Sequence, residues 1–372
     1  MKRPISRLSA AIALWIAAGS PLLAKEYIFG SWFGANHPVN VHGLAPYFAK
    51  LTEATGGSVS WKLVPGAQLA NGPGTPEAVA NGLMDGGITM APYQPSMLPS
   101  TNFIFSHTLP EADVLAASGA MNETLMLGCP GCRKEFQANN AVGFGGYAPT
   151  PYKFMCRGKP REIADMAGLK VRSSGGGVNI TQIVGATPVS MPPSDATPAL
   201  ERGTIDCVLG AVSWLKSYGY IDVVETVIDS PMGMAGPPVL MYLNRDAWTG
   251  MTPEERAEHI RLVPVLVAGA VIGGQIEIEE TVVADAKAKG ITFVPDSPEW
   301  SAVMAERDRQ QRTINLANAR KAGASEPEAV LEFYVSAFDR WKTLIRENGT
   351  DSATFQKLLW DEVYSKIDPD SL

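Results

Sequence analysis

From Lys25 onward the apolar residues fall into short alternating runs separated by stretches of helical spacing. Glu26 to Trp32 alternates as a strand does, about Val41 to Ala54 has helical periodicity ended by Gly56-Gly57, and Ser58 to Val64 alternates again. A Pro/Gly-rich loop, Pro65 to Pro76, leads to a second helix, Pro76 to Ala80, and a strand, Gly87 to Ala91. The order β-α-β-α-β predicts a parallel sheet covered by helices.

The pattern repeats further along. A strand ends at Arg172, a helix runs to Gly185, and Pro188 to Met191, Asp195 to Arg202 and Thr204 to Val208 read as strand, helix and strand. The two units share a helix-ending Gly and a following Asp, in Asn81-Gly82-Leu-Met-Asp85 and Arg202-Gly203-Thr-Ile-Asp206. Glycine there supplies the left-handed C-cap that turns a helix directly into the next strand. Two related units predict an α/β fold of two lobes with a ligand cleft between them. The first lobe takes 25–148 plus about 238–280, and the second takes 149–237 plus about 281–372. Gly143 to Pro151 and Asp229 to Pro238 are the crossovers, and Val239 to Leu243 is a strand returning to the first lobe.

Thr252-Pro-Glu-Glu255 is a capping box that opens a helix running to about Lys289, with a kink or break expected at Pro264. A helix of that length crosses both lobes and serves as a hinge strut. A short strand, Ile291 to Val294, and amphipathic helices follow, the last at Ser352 to Ser365. Their aromatic residues, Trp300, Phe333, Tyr334, Trp341 and Trp360, read as packing.

Composition narrows the function classes. The 372 residues are 45% hydrophobic and 19% charged, enough for about two domains with substantial cores. A net charge of -7 gives no basic face for nucleic acid or an anionic membrane. Residues 1–24 carry Lys2, Arg3 and Arg7, an apolar run from Leu8, and small residues before a cut after Ala24. These mark a cleavable signal peptide and a periplasmic protein; an uncleaved anchor is the competing reading. In an exported chain the four cysteines invite oxidation. Cys129 and Cys132 suit a local disulfide, or one of them a bridge to Cys156, and the sequence leaves the pairing open. The alternative functions are an exported redox protein or enzyme using Cys129-Pro-Gly-Cys132, although its flanks lack a thioredoxin βαβ pattern, and a solute-sensing binding protein. Half a zinc site is a further reading of the CxxC, although no second CxxC accompanies it.

No HExxH, GxSxG, P-loop or strand-linked GxGxxG occurs, and the four histidines form no metal-spaced pair. No catalytic residue, metal or cofactor is predicted. Arg172, by contrast, stands at a strand's C-terminal end, before the turn Gly175 to Gly177 that opens a helix. In open α/β sheets that is where ligands bind, and a guanidinium there matches a carboxylate with two parallel hydrogen bonds. A surface salt bridge is the bland alternative. Trp32 and Phe33, Tyr93, and Trp214 each follow a predicted strand, so with Arg172 they outline an apolar pocket around one cation. Asn71, Tyr152 and Gly210 complete the predicted ligand-binding set.

The motifs Ile163-Ala-Asp-Met-Ala-Gly-Leu-Lys-Val-Arg172, Gly185-Ala-Thr-Pro-Val189 and Ala199-Leu-Glu-Arg-Gly-Thr-Ile-Asp206 resemble those of a known family, as do Thr55-Gly-Gly-Ser-Val, Pro65-Gly-Ala-Gln-Leu69 and Asn244-Arg-Asp-Ala-Trp248. The family is the dicarboxylate-binding type of solute-binding protein from TRAP transporters, and the resemblance spans essentially the whole chain after the leader. It implies two lobes joined by a hinge that includes a long helix, closing over an organic acid and handing it to a membrane permease. It also implies that Arg172 pairs with the ligand carboxylate and that Trp32 and about Met90 to Tyr93 line the pocket. Gly210 stands where sugar-acid binders carry Asn, and Leu209-Gly210 where metal-assisted binders carry Glu-Trp. The second arginine of the family's doubly clamped ligands is missing, with Pro151, Tyr152 and Lys153 nearby and Lys153 a partial replacement. The expected ligand is therefore a monocarboxylate with an apolar or aromatic body, and the expected assembly a monomer or dimer.

Overall fold

The computed structural model describes residues 25–110 and 113–372; the predicted signal peptide lies outside the described residues. Two sheets organise the chain. The first contains β1 (Lys25–Gly30), β2 (Val59–Val64), β3 (Gly86–Thr89) and β4 (Ala141–Phe144). The second contains β5 (Lys153–Cys156), β6 (Lys170–Arg172), β7 (Thr187–Val189), β8 (Cys207–Gly210) and β9 (Thr226–Asp229). The chain then crosses back to place β10 (Val239–Asn244) in the first sheet, and later adds β11 (Thr292–Pro295) to the second. The strand orders are β2-β1-β3-β10-β4 and β11-β9-β5-β8-β6-β7.

In the first sheet β1 runs parallel to β2 and β3, whereas β10 is antiparallel to both neighbours. In the second, β6 is parallel to β7 and β8, and β5 is antiparallel to β8 and β9. The parallel portions follow from the βαβ units, whose crossover helices cover the faces. Close packing in the first sheet relies on Gly86, where a Cβ would lie 2.6 Å from Leu243 and 2.9 Å from Phe29.

The capping box forms as predicted: Thr252 Oγ1 accepts from the Glu255 amide at 3.2 Å, and the Glu255 carboxylate accepts from the Thr252 amide at 2.8 Å. The expected break at Pro264 does not occur. The helix Pro253–Ala268 passes through that proline, and the irregularity comes later, as wider turns over Gly269–Ile276 before the helix resumes at Glu277–Ala288. The cause is a close crossing: a Cβ on Gly269 would lie 2.0 Å from the His42 carbonyl oxygen, so the helix adapts where another segment presses on it. Its first half packs on helix Ala45–Ala54 and its last part on the short helix Trp214–Ser217. It therefore runs from one lobe to the other. Pro253–Ala288 is long and apolar enough to cross a membrane, but 56% of its most apolar stretch is buried inside the protein.

The C-terminal helices reach elements of both sheets. Trp300, in the first turn of helix Pro298–Ala322, packs on Phe154 of the second lobe. Further along, Arg307, Gln311 and Asn315 lie one turn apart on one face. Arg307 and Gln311 donate to the Thr108 carbonyl at 3.0 and 3.2 Å, and Asn315 to that of Ser106 at 3.0 Å. The helix is thus tied to the first lobe as well. Helices Pro327–Asn348 and Ser352–Glu362 then pack on Val114–Glu123 and Pro253–Ala268. Amphipathic spacing marks which face is buried without saying against what.

Both disulfides are intramolecular. Cys129 bonds to Cys132, while Cys156 bonds to Cys207 rather than to either member of the CxxC. The second bond follows from register, since Cys156 on β5 lies directly opposite Cys207 on β8.

Candidate functional site

The ends of the strands converge on a cavity between the sheets. Its own side chains nearly fill it, leaving about 20 Å³, room for about one water. Seven of its twelve lining residues are aromatic. Trp32 and Phe33 come from the end of β1, Phe105 from helix Pro99–Ser106, and Trp214 and Tyr218 from the segment after β8. Tyr147 and Tyr152 come from the crossover between β4 and β5, and Ala235 and Pro238 from the one between β9 and β10. The crossovers thus form part of the cavity wall.

The rings pack against one another. Trp32 lies 4.2 Å from Phe33 and 6.1 Å from Tyr93, and its indole N–H donates to the Ile88 carbonyl at 3.0 Å. Trp214 lies 5.4 Å from Tyr152 and 5.7 Å from Tyr218. His37 stacks on Phe33 at 4.0 Å with the rings 12° apart, and reaches Tyr218 at 5.4 Å. Burial holds the His37 imidazole down to about pKa 3, so it is neutral. Burial also raises Tyr147, Tyr152, Tyr218 and Tyr93, the last opposed by the charge of Arg172; all four stay as phenols.

Arg172 sits directly behind this lining at the end of β6, only 1% exposed. Its Nε donates to the Met191 carbonyl at 2.8 Å, and its Nη2 to the Tyr93 hydroxyl at 3.3 Å and to Ser174 Oγ at 3.4 Å. The guanidinium carbon stands 5.4 Å from the Trp214 ring centroid. Among the described residues no carboxylate pairs with Arg172, and no protein group accepts from its Nη1. A buried cation held by neutral groups alone costs free energy that an incoming anion can recover.

The other predicted residues divide. Trp32, Phe33, Tyr152 and Trp214 line the cavity, and Tyr93 and Arg172 stand behind it. Gly210 closes β8 directly under the Trp214 ring. Asn71 is exposed; its Oδ1 accepts from the Gly74 amide at 2.8 Å beside the start of helix Thr75–Ala80, and it does not line the cavity. Lys153 does not stand in for a second arginine, because it is engaged by Asp229 at 2.5 Å and Glu279 at 3.8 Å. Sequence reasoning missed Tyr147, Phe105 and Tyr218. Only Tyr218 carried a signal, four residues beyond Trp214 and so one helical turn away. The other two reach the cavity through a crossover and a helix end, which periodicity does not orient.

Comparison with known proteins places these observations. The family model described as DctP, bacterial extracellular solute-binding protein, family 7, matches residues 29–311. Among solved structures, a TRAP periplasmic solute-binding protein from Bordetella bronchiseptica with bound (R)- and (S)-mandelate superposes with a TM-score of 0.73 at 23% identity, over 85% of this chain and 99% of that one. A marine metagenome TRAP solute-binding protein specific for aromatic acid ligands, in complex with 3-hydroxybenzoate, gives 0.75 at 20% identity, over 86% and 99%. A TRAP solute-binding protein from Rhodoferax ferrireducens T118 with copurified benzoate gives 0.75 at 17% identity, over the same 86% and 99%. At these identities the likeness shows a shared two-lobed fold.

Proposed function

The chain belongs to the DctP family of bacterial extracellular solute-binding proteins, and from that premise we propose that it is the periplasmic receptor of a TRAP transporter, without catalytic activity, for a small monocarboxylate with an aromatic body. The observation that carries this reading is Arg172, a buried guanidinium with no acidic partner among the described residues, standing behind an aromatic cavity. On binding, the lining rings Trp32, Phe33, Tyr152 and Trp214 part to take the ligand ring between them, and its carboxylate takes the free Nη1 donors of Arg172. Mandelate, 3-hydroxybenzoate and benzoate, bound by structural relatives, belong to this chemical class.

Engagement of residues from both lobes links binding to hinge closure, and the closed form is what a permease would recognise. Residues 1–24 act as the export signal. A redox role for Cys129 and Cys132 has less support, since that disulfide is buried and outside the cavity lining.

A thermal-shift screen of residues 25–372 against aromatic acids, aliphatic monocarboxylates, dicarboxylates and sugar acids tests the reading. A ligand that binds only the folded state raises the melting temperature by mass action. Aromatic monocarboxylates are expected to give the largest shifts, and a panel with no shift from any acid would overturn the assignment.

A further inference from the structure

Gly210 ends β8 opposite Lys153 on β5, inside a regular antiparallel pair. Its φ is not positive, so the backbone there admits any residue. Glycine within a strand weakens it, and where the conformation does not demand glycine the reason is close approach of another group. That group is Trp214. A Cβ on residue 210 would lie 2.1 Å from Cε3, 2.2 Å from Cζ3 and 3.0 Å from Cδ2 of the indole. The benzo edge of the ring fills the place where any other residue would carry its first side-chain carbon.

The seat of the indole matters to the cavity. Trp214 is one wall of it, touches Tyr152 and Tyr218, and lies over the guanidinium of Arg172. Resting on the strand end, the ring is a flat slab that borders the cavity beside the cation. A flat partner stacks on such a slab, whereas a puckered saturated ring of equal charge cannot match it.

We infer that Gly210 is the positioning residue for ligand specificity: by leaving room for the Trp214 indole at the end of β8, it selects planar aromatic carboxylates over saturated ones. This rests on the reading of the cavity as a carboxylate site. Any side chain at 210, even a methyl group, displaces the indole, because the neighbouring atoms are a rigid ring rather than the end of a flexible chain. The selectivity then falls whether or not overall affinity survives.

The test is calorimetric titration with benzoate and cyclohexanecarboxylate, which share charge and ring size and differ in planarity. Wild type is expected to favour benzoate at least tenfold. Gly210→Ala is expected to reduce that ratio to threefold or less, and a role confined to strand stability would instead weaken both acids alike and leave the ratio unchanged. In a Trp214→Ala background, Gly210→Ala should change neither affinity, since the two sites act as one unit. Should Gly210→Ala alone fold poorly, the double variant, which has room for the methyl group, is expected to melt no lower than Trp214→Ala alone. A ratio kept in Gly210→Ala, additive losses in the double variant, or equal wild-type affinity for the two acids would overturn the inference alone. Wild type that binds neither acid would instead overturn the carboxylate reading on which it rests.

Discussion

Tyr93, on the turn after β3 in the first lobe, accepts a hydrogen bond at 3.3 Å from Nη2 of Arg172 at the end of β6 in the second. The phenol oxygen accepts the guanidinium N–H, which leaves the phenol's own O–H free to donate. A carboxylate arriving at Arg172 therefore meets donors from both lobes, and binding favours the arrangement in which the lobes are together.

Tyr93→Phe removes that hydroxyl while keeping the ring against Trp32. A hydrogen bond to a charged group contributes about 1.5–3 kcal/mol, so affinity for an aromatic monocarboxylate should fall by about tenfold or more. Calorimetric titration checks this. Unchanged affinity would mean that Tyr93 contributes packing alone.

His259 gives the protein an acid sensitivity of known sign. Trp61 donates its indole N–H to Nε2 at 3.4 Å, and a Trp can only donate, so Nε2 is the acceptor and Nδ1 carries the proton toward the Tyr47 hydroxyl at 2.7 Å. Protonation would set one donor against another. Burial holds His259 at about pKa 3, below the ordinary 6.5. The unfolded chain thus binds the extra proton between those values, and stability present above pH 6.5 is lost on acidification toward pH 3. Each such histidine contributes a slope of up to about 1.4 kcal/mol per pH unit. Urea denaturation from pH 7.5 to 4 should show a shallower slope for His259→Gln than for wild type, and equal slopes would remove His259 from the account.

Helix Pro327–Asn348 packs on helix Val114–Glu123 at Gly119, where a Cβ would lie 2.2 Å from the Trp341 ring. Helix propensity favours Gly119→Ala by about 1 kcal/mol. Overpacking against a rigid indole costs about 1–3 kcal/mol, so the net effect is expected to be destabilising, read as a lower denaturant midpoint. A rise in the midpoint would mean that the helix pair relaxes without cost.

The two disulfides close loops of very different length, with sequence separations of 51 and 3. Chain entropy assigns about 4 kcal/mol to Cys156–Cys207 and about 2 kcal/mol to Cys129–Cys132. Replacing Cys156 and Cys207 with Ala should therefore lower unfolding stability more than replacing Cys129 and Cys132. The opposite order would show that local packing outweighs loop closure.

Much of this architecture is legible in the sequence, and the limits have physical causes. Arg172 at a strand end and Trp32, Phe33 and Trp214 beyond other strand ends can be read because strand periodicity also fixes where each strand stops. The bond between Cys156 and Cys207 cannot, because it depends on the antiparallel register of β5 and β8, which no local pattern encodes. Tyr147 reaches the cavity from a crossover, and the packing side of Pro327–Asn348 depends on which lobe offers a complementary groove. Pro264 fits inside its helix, whereas the approach of His42 to Gly269 reshapes the next turns; both are tertiary effects overriding a local rule.

The central claim is that Arg172 is held buried for a ligand carboxylate. Calorimetric titration of benzoate into wild type and Arg172→Met, together with the melting temperature of each without ligand, addresses it most directly. The account predicts a loss of about a hundredfold in affinity, with a melting temperature unchanged or higher because the variant removes a buried cation that has no acidic partner. Affinity within threefold of wild type, or a variant that fails to fold, would contradict it and return Arg172 to a structural role.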